Sequence, residues 1–268
     1  MVFYLIGLGL GSVDDVTVKG LDIIKKADRI YLEAYTSILT CGKEELEKYY
    51  NKSIMLADRT MVEQECDEML NDSDEKDIVL LVVGDPFGAT THTDLVLRCV
   101  EKKIPYKVVH NASIMNAIGC CGLQLYSFGE TVSIVFWTDT WRPQSFVDKI
   151  ESNLSRGLHT LCLLDIKMKE QTIENLMKGN KIFEPPRFMS ASLAASQLVE
   201  SVESRTDSVL SRETMCIALS RVGSEDQRIV AGTMKQLATC DVGPPLHSLI
   251  VCGNMHPLEE DFVKQFHL

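Results

Sequence analysis

The 268-residue sequence lacks several patterns that would assign it at once to a familiar class of protein. No stretch approaches 18 consecutive apolar residues, so the sequence predicts no transmembrane helix. A Gly-x-Ser-x-Gly motif is absent, which leaves a serine hydrolase without support. The nine cysteines include no Cys-x-x-Cys pair, and no set of His, Cys and carboxylates has metal-ligand spacing. We therefore expect reduced, buried thiols and no metal site.

Positive charge is also scarce. The chain has 27 Lys and Arg against 38 Asp and Glu, which gives a net charge of −11. This charge argues against general nucleic-acid binding and is compatible with electrostatic docking of a basic partner. The first six residues lack the basic segment of a signal peptide and instead predict a strand. We therefore expect a soluble, cytoplasmic protein without direct nucleic-acid or membrane binding.

Two glycine-containing turns follow predicted strands in the first half of the chain. The strand over residues 2–6 runs into Gly7-Leu8-Gly9-Leu10-Gly11, and a helix is predicted over 17–27 with Thr17 as its N-cap. The apolar run over 78–83 reads as a buried strand, and it ends in Gly84-Asp85-Pro86-Phe87-Gly88. Ligands bind beyond the carboxyl ends of strands in such sheets, so these turns are candidate floors of a pocket.

Strands and helices alternate through the first half, which predicts a mostly parallel, doubly wound sheet. Further helices are expected over 43–50, 62–70 and 93–102. The second half shows fewer parallel cues, so a mixed sheet is predicted there, with a helix opening at 141–143. We place the domain limits at 1–122 and 123–268 by pattern alone.

The glycine turn by itself is a weak signal. The dinucleotide-binding fingerprint requires a third glycine one place after Gly11, where this chain has Ser12. Glu33 follows Gly11 by about 22 residues and has the position of a ribose-binding acid, although a solvated charge at a strand end is the interpretation that we favour. An NAD-dependent oxidoreductase is therefore one alternative. A non-catalytic adenosine-binding module is the other, because no acid or base is unmistakable.

The order of the motifs is more informative than any one of them. A glycine turn, then Gly-Asp-Pro-x-Gly, then a helix start at Asn111-Ala112-Ser113-Ile114 resembles the tetrapyrrole-methylase-like methyltransferases, which use S-adenosylmethionine. Within that family, the sequence is most similar to the branch that methylates the modified histidine of translation elongation factor 2. The blocks that carry the resemblance are residues 4–11, 32–37, 82–92, 110–122, 135–143, 159–167 and 245–249.

The resemblance implies two α/β domains with S-adenosylmethionine in the cleft between them, four methyl transfers that give diphthine methyl ester, and a homodimer. Carried over position by position, the implied cofactor contacts are Leu10, Asp85, Gly88, Ser113, Ile114, Leu164, Val222 and His247. The chemistry of several agrees. Gly88 lets the backbone approach a ligand, Asp85 suits a ribose or amino group, and Ser113 offers a donor at a helix start.

No catalytic residue is assigned with comparable support. Asp165 ends a predicted strand and is a candidate proton acceptor for the substrate amine, although a surface ion pair with Lys167 is an equal expectation. His92 and His110 follow two strand ends, where each could contact substrate or serve as a packed, hydrogen-bonded histidine. Without the resemblance, His247 would be read as a capping or turn residue.

Overall fold

The computed structural model describes residues 1–35, 37, 41–71 and 75–268, and these residues form two compact units. Unit 1 comprises Met1–Ala117 with Gly223–Glu225, and unit 2 comprises Ile118–Val222 with Asp226–Leu268. Unit 1 has a parallel sheet and unit 2 a mixed sheet, which confirms the predicted fold class. These units are defined by contacts between residues and do not test the domain limits at 1–122 and 123–268, which stay a prediction. Thr36, in one block of the resemblance, lies outside the described residues.

Unit 1 alternates strands and helices along the chain. Its elements are β1 (Phe3–Gly7), α1 (Val18–Lys26), β2 (Arg29–Glu33), α2 (Gly42–Tyr50), β3 (Met55–Ala57), α3 (Arg59–Glu63), α4 (Cys66–Leu70), β4 (Ile78–Val82), α5 (Thr93–Glu101), β5 (Tyr106–Val109) and α6 (Ile114–Ala117). Thr17 caps α1 as predicted, since its hydroxyl accepts the Gly20 N–H at 3.0 Å. Helix α1 ends at Lys26 with two lysines in its last turn, where positive charge favours the helix dipole.

The five strands of unit 1 are parallel and lie in the order β3-β2-β4-β1-β5. Apolar side chains of α1 and α2, including Ile24 and Leu46, pack with Ile6 and Leu81 on one face. Side chains of α3, α4 and α5 pack with Leu5 and the alternate strand residues on the other face. Burial on both faces explains why β4 reads as an uninterrupted apolar run.

Unit 2 contains more short elements. They are β6 (Val132–Ile134), α7 (Ser145–Ser155), β7 (Thr160–Leu164), β8 (Ile166–Lys167), α8 (Ile173–Met177), β9 (Arg187–Phe188), α9 (Ala191–Glu203), β10 (Met215–Ser220), β11 (Arg228–Thr233), α10 (Met234–Leu237), β12 (His247–Val251) and α11 (Pro257–Val263). Short 3₁₀ turns cover Ile118–Cys121, Leu125–Ser127 and Lys264–Phe266.

The main sheet of unit 2 has the order β11-β10-β12-β7-β6. Strand β12 is antiparallel to both β10 and β7, whereas β6 is parallel to β7. The amino end of β12 therefore lies beside the carboxyl ends of β10 and β7. Helices α7 and α9 cover the sheet through Ile150, Ala194 and Leu198. Among the described residues of both units, no helix is long and apolar enough to cross a membrane.

The structure differs from the predicted elements in several places. The predicted helix over 62–70 is two helices, α3 and α4, and Asp58 caps the first by accepting the Met61 N–H at 2.9 Å. Helix α7 begins at Ser145, after Pro143, and not at 141–143. The short strands β3, β8 and β9 and the edge strand β11 were not predicted, because their few residues show no clear alternation.

Candidate functional site

The carboxyl ends of β1, β4 and β5 lie side by side in unit 1. Gly7 pairs with Val82 across β1 and β4, and Ile6 pairs with Val109 across β1 and β5. The chain leaves β1 for α1 on one face and β4 for α5 on the other, so this edge is a topological switch point, where such sheets bind ligands. We call residues 7–11, 84–88 and 110–114 at this edge the glycine edge.

The first two loops of the glycine edge are joined through backbone groups. Gly9 and Gly84 both have φ of +79°, a conformation that favours glycine. The Gly84 N–H donates to the Gly9 carbonyl at 2.7 Å, and the Gly9 N–H donates to the Gly84 carbonyl at 3.2 Å. A Cβ atom on Gly7 would lie 2.5 Å from the Gly84 oxygen. The glycines therefore let the two loops approach each other closely, and the predicted approach to a ligand stays a prediction.

Asp85 fastens the second loop to the third. One carboxylate oxygen accepts the Phe87 N–H at 2.9 Å, and the other contacts the Asn111 N–H at 3.0 Å and His110 Nδ1 at 2.9 Å. The side chain keeps 15% of its surface exposed. Because a carboxylate offers about four lone-pair positions, these bonds leave room for a further donor from a ligand. Its assignment to cofactor binding stays a prediction.

Gly88, Ser113 and Ile114 are brought together at the glycine edge. A Cβ on Gly88 would lie 2.6 Å from Ser113 Oγ, so only glycine lets the two loops approach this closely. The Ser113 hydroxyl accepts the Met115 N–H at 3.3 Å, while the Ser113 N–H donates to the Asn116 side chain at 2.9 Å. Ser113 is buried, and Ile114 begins α6.

Asn111 connects the third loop to the first, a role that the sequence analysis missed. Its amide nitrogen donates to the carbonyls of Gly7 and Asp15, each at 3.0 Å. Its side-chain oxygen accepts the Ala112 N–H at 2.8 Å. The available signal was an Asn directly after a strand, since Asn side chains bond nearby backbone groups in turns.

Leu10 lies against another part of unit 1. A Cβ on Gly223 would meet Leu10 Cβ at 2.6 Å, and one on Gly11 would meet the Gly223 oxygen at 2.4 Å. The turn after β1 is thus packed against Gly223, the residue that follows Val222 in the sequence. No local motif predicts this long-range approach.

His92 is completely buried beside the second loop. Its Nδ1 lies 3.1 Å from the Pro86 carbonyl, which can only accept, so Nδ1 carries the proton and Nε2 is an acceptor. Within the described part of the chain, Nε2 has no hydrogen-bond partner. The ring packs edge-on against Tyr35, and burial raises the pKa of the Tyr35 phenol to about 12. His92 is therefore a packed, hydrogen-bonded histidine that supports the loop 84–88 through Pro86.

In unit 2, one edge of the sheet gathers the remaining predicted residues. Ser220 pairs with His247, and Leu163 pairs with Ser248, which places Leu164, His247 and the residues after β10 at the same edge. We call Leu164, Asp165, Val222, His247 and the loop 135–143 the mixed-sheet edge. Val222 is partly exposed and follows Arg221, which has a left-handed φ of 51°.

Both ring nitrogens of His247 have partners. Nδ1 accepts the Ala191 N–H at 3.1 Å at the start of α9, and Nε2 donates toward the carbonyls of Gly243 and Pro244, each at 2.9 Å. The imidazole therefore joins the first residue of α9, whose N-cap is Ser190, to the loop that precedes β12. The local sequence indicated a capping or turn residue but not the distant helix that it contacts, and the cofactor contact of His247 stays a prediction.

Asp165 is tied into the same edge. Its carboxylate accepts the Phe136 N–H at 3.0 Å and lies 3.5 Å from Lys167 Nζ. Its own backbone N–H donates to Ile134 at 3.1 Å. Asp165 is thus an ion-paired anchor for the chain after β6, and a catalytic role stays a prediction.

The other reactive side chains do not form a second site of this kind. Among the described residues, no group of three or more His, Cys, Asp and Glu could hold a metal ion. The nine cysteines are free, and burial raises the pKa of Cys99 and Cys121 to about 11. Such thiols are protonated at neutral pH and are poor nucleophiles.

Comparison with known proteins finds similarity over nearly the whole chain. Residues 2–238 match the family model described as Tetrapyrrole (Corrin/Porphyrin) Methylases. The chain is 59% identical to a diphthine methyl ester synthase of Homo sapiens over 99% of this chain and 95% of the relative. It is 58% identical to a diphthine methyl ester synthase of Dictyostelium discoideum over 99% of this chain and 98% of the relative.

A solved structure described as a putative diphthine synthase from Entamoeba histolytica is also similar. It superposes with a TM-score of 0.88 at 42% identity, covering 100% of this chain and 98% of that one. A second solved structure, described as diphthine synthase, has a TM-score of 0.86 at 28% identity, covering 100% of this chain and 96% of that one.

Proposed function

The chain belongs to the tetrapyrrole methylase family and is a methyltransferase, and we propose that it methylates the modified histidine of translation elongation factor 2 in diphthamide biosynthesis. The observation that carries this proposal is 59% identity, over 99% of the chain, to relatives named diphthine methyl ester synthase. Neither the fold nor the relatives favour the NAD-dependent oxidoreductase or the adenosine-binding module.

The proposed methyl donor is S-adenosylmethionine, whose sulfonium supplies a methyl group on an excellent leaving group. The glycine edge fits such a ligand because it lies at the carboxyl ends of parallel strands, at the topological switch point where such sheets bind ligands. In unit 1 the residues that would hold the donor are Leu10, Asp85, Gly88, Ser113 and Ile114. In unit 2 they are Leu164, Val222 and His247.

The protein's own contribution is positioning. Asp85 and Asn111 fix the loops of the glycine edge through five side-chain hydrogen bonds to backbone groups and His110. Groups that are held in position reduce the entropy cost of aligning the nucleophile with the methyl group. In well-oriented reactions this effect lowers the activation barrier by about 7 to 11 kcal/mol. These hydrogen bonds hold the loops in place, and such pre-organisation reduces the ordering cost of binding a ligand.

The substrate amine must lose a proton before its lone pair can react, and either Asp165 or solvent would accept that proton. Lys167 Nζ lies 3.5 Å from the Asp165 carboxylate and 3.1 Å from that of Glu170, so a proton acceptor at Asp165 would work beside a positive charge. Substitution Asp165→Asn keeps an acceptor for the Phe136 N–H and removes the base. A fall in kcat of at least 100-fold would support general-base catalysis, and a change below threefold would favour solvent.

The proposal includes four transfers, three to the amine nitrogen and one to the carboxylate, giving diphthine methyl ester. It also includes a homodimer located in the cytoplasm. The net charge of −11 supports electrostatic attraction of a basic partner surface.

Mass spectrometry of elongation factor 2 tests the reaction. The factor carrying the unmethylated intermediate is incubated with this protein and S-adenosylmethionine, and the modified peptide is then weighed. We expect a gain of four methyl groups, one of which is removed by mild alkaline hydrolysis of the ester. A gain of three would refute ester formation, and no gain would refute the assigned substrate.

A further inference from the structure

The loop 135–143 of the mixed-sheet edge is firmly anchored at its base. The buried side-chain amide of Gln197 on α9 bridges two backbone groups, donating to the Val135 carbonyl and accepting the Trp137 N–H, each at 3.1 Å. The Trp137 indole N–H donates to the Pro143 carbonyl at 3.1 Å, which joins the two ends of the loop. These bonds fix where the loop leaves the sheet.

The tip of the loop is a tight turn over residues 138–141. The Thr138 N–H donates to the Trp141 carbonyl at 3.0 Å, and the Trp141 N–H donates to the Thr138 hydroxyl at 3.0 Å. Next to the turn, the Arg142 guanidinium lies 5.5 Å from the Trp137 ring and 2.6 Å from Glu200. The turn is therefore held in one shape from both sides.

All four residues of this turn are exposed, and two of them carry a charge or an aromatic ring. Trp141 is 56% exposed, and within the described residues its ring stacks on no other aromatic group or cation. Asp139 is exposed, and its carboxylate has no hydrogen bond or ion pair within the same residues. An aromatic face beside a free carboxylate is the chemistry that binds a Lys or Arg side chain.

We propose that the turn 138–141 docks a basic segment of the protein substrate, with Trp141 as the aromatic anchor and Asp139 as the charged contact. The inference rests on the proposed function. Charge supports this partner, because a chain with a net charge of −11 attracts basic surfaces. Exposed tryptophan on a pre-organised loop is also the residue type that dominates many protein interfaces.

The position of the turn supports the protein substrate as its occupant. Ile134, at the end of β6, pairs with Leu164, and the Phe136 N–H donates to Asp165. The loop thus starts beside two residues proposed to contact the cofactor or accept a proton. A polypeptide that delivers its modified histidine to this edge must pass over neighbouring surface, and the turn offers an exposed aromatic anchor there.

Steady-state kinetics with elongation factor 2 provides the test. We expect Trp141→Ala to raise KM for the protein substrate about 10-fold, with kcat and the Kd for S-adenosylhomocysteine unchanged. Asp139→Asn should raise KM about threefold in low salt and have little effect in 0.5 M salt, because salt screens exposed charges. An unchanged KM for both variants would overturn the proposal.

Tyr126→Ala is the matched control. Tyr126 is 83% exposed and lies next to the bridge between Phe128 and His159, before β7 begins, at the opposite edge of the same sheet. Its substitution removes an exposed aromatic side chain without touching the mixed-sheet edge. A KM increase equal to that of Trp141→Ala would contradict a specific docking point.

A second readout does not depend on turnover. The chain has two tryptophans, so 5-fluorotryptophan labelling gives two ¹⁹F signals that Trp141→Phe assigns. Addition of elongation factor 2 should shift or broaden the Trp141 signal and leave the Trp137 signal nearly unchanged, whereas an unmoved Trp141 signal at saturating factor contradicts docking. If wild type transfers methyl groups and this signal does not move, the docking inference fails while the proposed function stands.

Discussion

The glycine edge and the mixed-sheet edge both hold loops at one end of a sheet, but they do so with different groups. The glycine edge is built from backbone groups that approach closely, and Asp85 and Asn111 fasten them. The mixed-sheet edge is built from side chains, with the His247 ring joining a helix to a loop and Asp165 holding the chain after β6. Adding a methyl group should therefore disrupt the glycine edge, whereas the mixed-sheet edge should be disrupted when a hydrogen-bonding side chain is removed.

Gly7→Ala is expected to have the largest effect. The new Cβ would lie 2.5 Å from the Gly84 oxygen and 2.8 Å from Asn111 Cβ, so the loops must separate. We expect a loss of about 2 to 4 kcal/mol in the free energy of unfolding, within the range for overpacked sites. Binding of S-adenosylhomocysteine should become undetectable by calorimetry.

Gly119→Ala is the control for that substitution. The nearest atom to its added Cβ is Leu125 Cγ at 3.5 Å, an ordinary contact. Urea unfolding and calorimetry should show stability within about 0.5 kcal/mol of wild type and unchanged affinity. Equal losses in both variants would mean that close backbone approach does not distinguish the glycine edge.

Asp85→Ala removes the shared acceptor of the Phe87 and Asn111 N–H groups. We expect about 2 kcal/mol weaker binding of S-adenosylhomocysteine, or roughly 30-fold, because both loops lose their fastening. Asp94→Ala, which removes an exposed carboxylate paired with Arg98 at 2.8 Å, should leave the affinity unchanged. If Asp85→Ala bound as tightly as Asp94→Ala, the pocket assignment would be wrong.

His247→Ala tests the side-chain character of the mixed-sheet edge. It leaves the Ala191 N–H without its acceptor and two carbonyls without their donor, at a cost of about 1 to 3 kcal/mol in unfolding free energy. We expect about 10-fold weaker binding of S-adenosylhomocysteine, measured by calorimetry.

His256→Ala is its partner variant. His256 also accepts a backbone N–H, from Leu258 at 3.2 Å, but it follows the far end of β12. The free energy of unfolding should fall by about 1 kcal/mol, and the affinity for S-adenosylhomocysteine should not change. An affinity loss as large as that of His247→Ala would show that both act only through general stability.

The smallest expected effect is a pH dependence confined to unit 2. His159 and Glu259 are buried 3.5 Å apart, and burial lowers the pKa of His159 despite the neighbouring carboxylate. Burial alone would raise the pKa of Glu259, but the N–H groups of Gln124 and His256 together with His159 hold it below its usual value.

The sign follows from proton uptake. A histidine whose pKa is lowered by folding binds its proton more readily when unfolded, so its contribution is complete above about pH 6.5 and declines as the pH falls. One proton gives a slope of at most about 1.4 kcal/mol per pH unit. The urea midpoint of wild-type unfolding should fall as the pH is lowered from 8 to 5.5, and this pH dependence should be weaker in His159→Gln. Equal pH dependence in the two proteins would refute the role of His159.

The sequence was sufficient to predict those features whose geometry is determined by a local pattern of residues. The glycine turn, the β4 strand and the Thr17 cap depend on residues close in the chain, and all three were predicted. The contact of Gly223 with Leu10 and Gly11 and the bond from His247 to Ala191 join distant segments, so periodicity and turn chemistry carry no signal for them. Asn111 lies between these cases, because its turn was visible but its partner carbonyls were not.

Hydrogen–deuterium exchange with and without S-adenosylhomocysteine tests the central claim most directly, because it shows where the cofactor binds. We expect slower exchange at residues 8–11, 84–88 and 110–114 of the glycine edge and at 164–165, 222 and 247 of the mixed-sheet edge. Protection that is confined to other segments, or an unchanged pattern at saturating ligand, would contradict the proposed cofactor site.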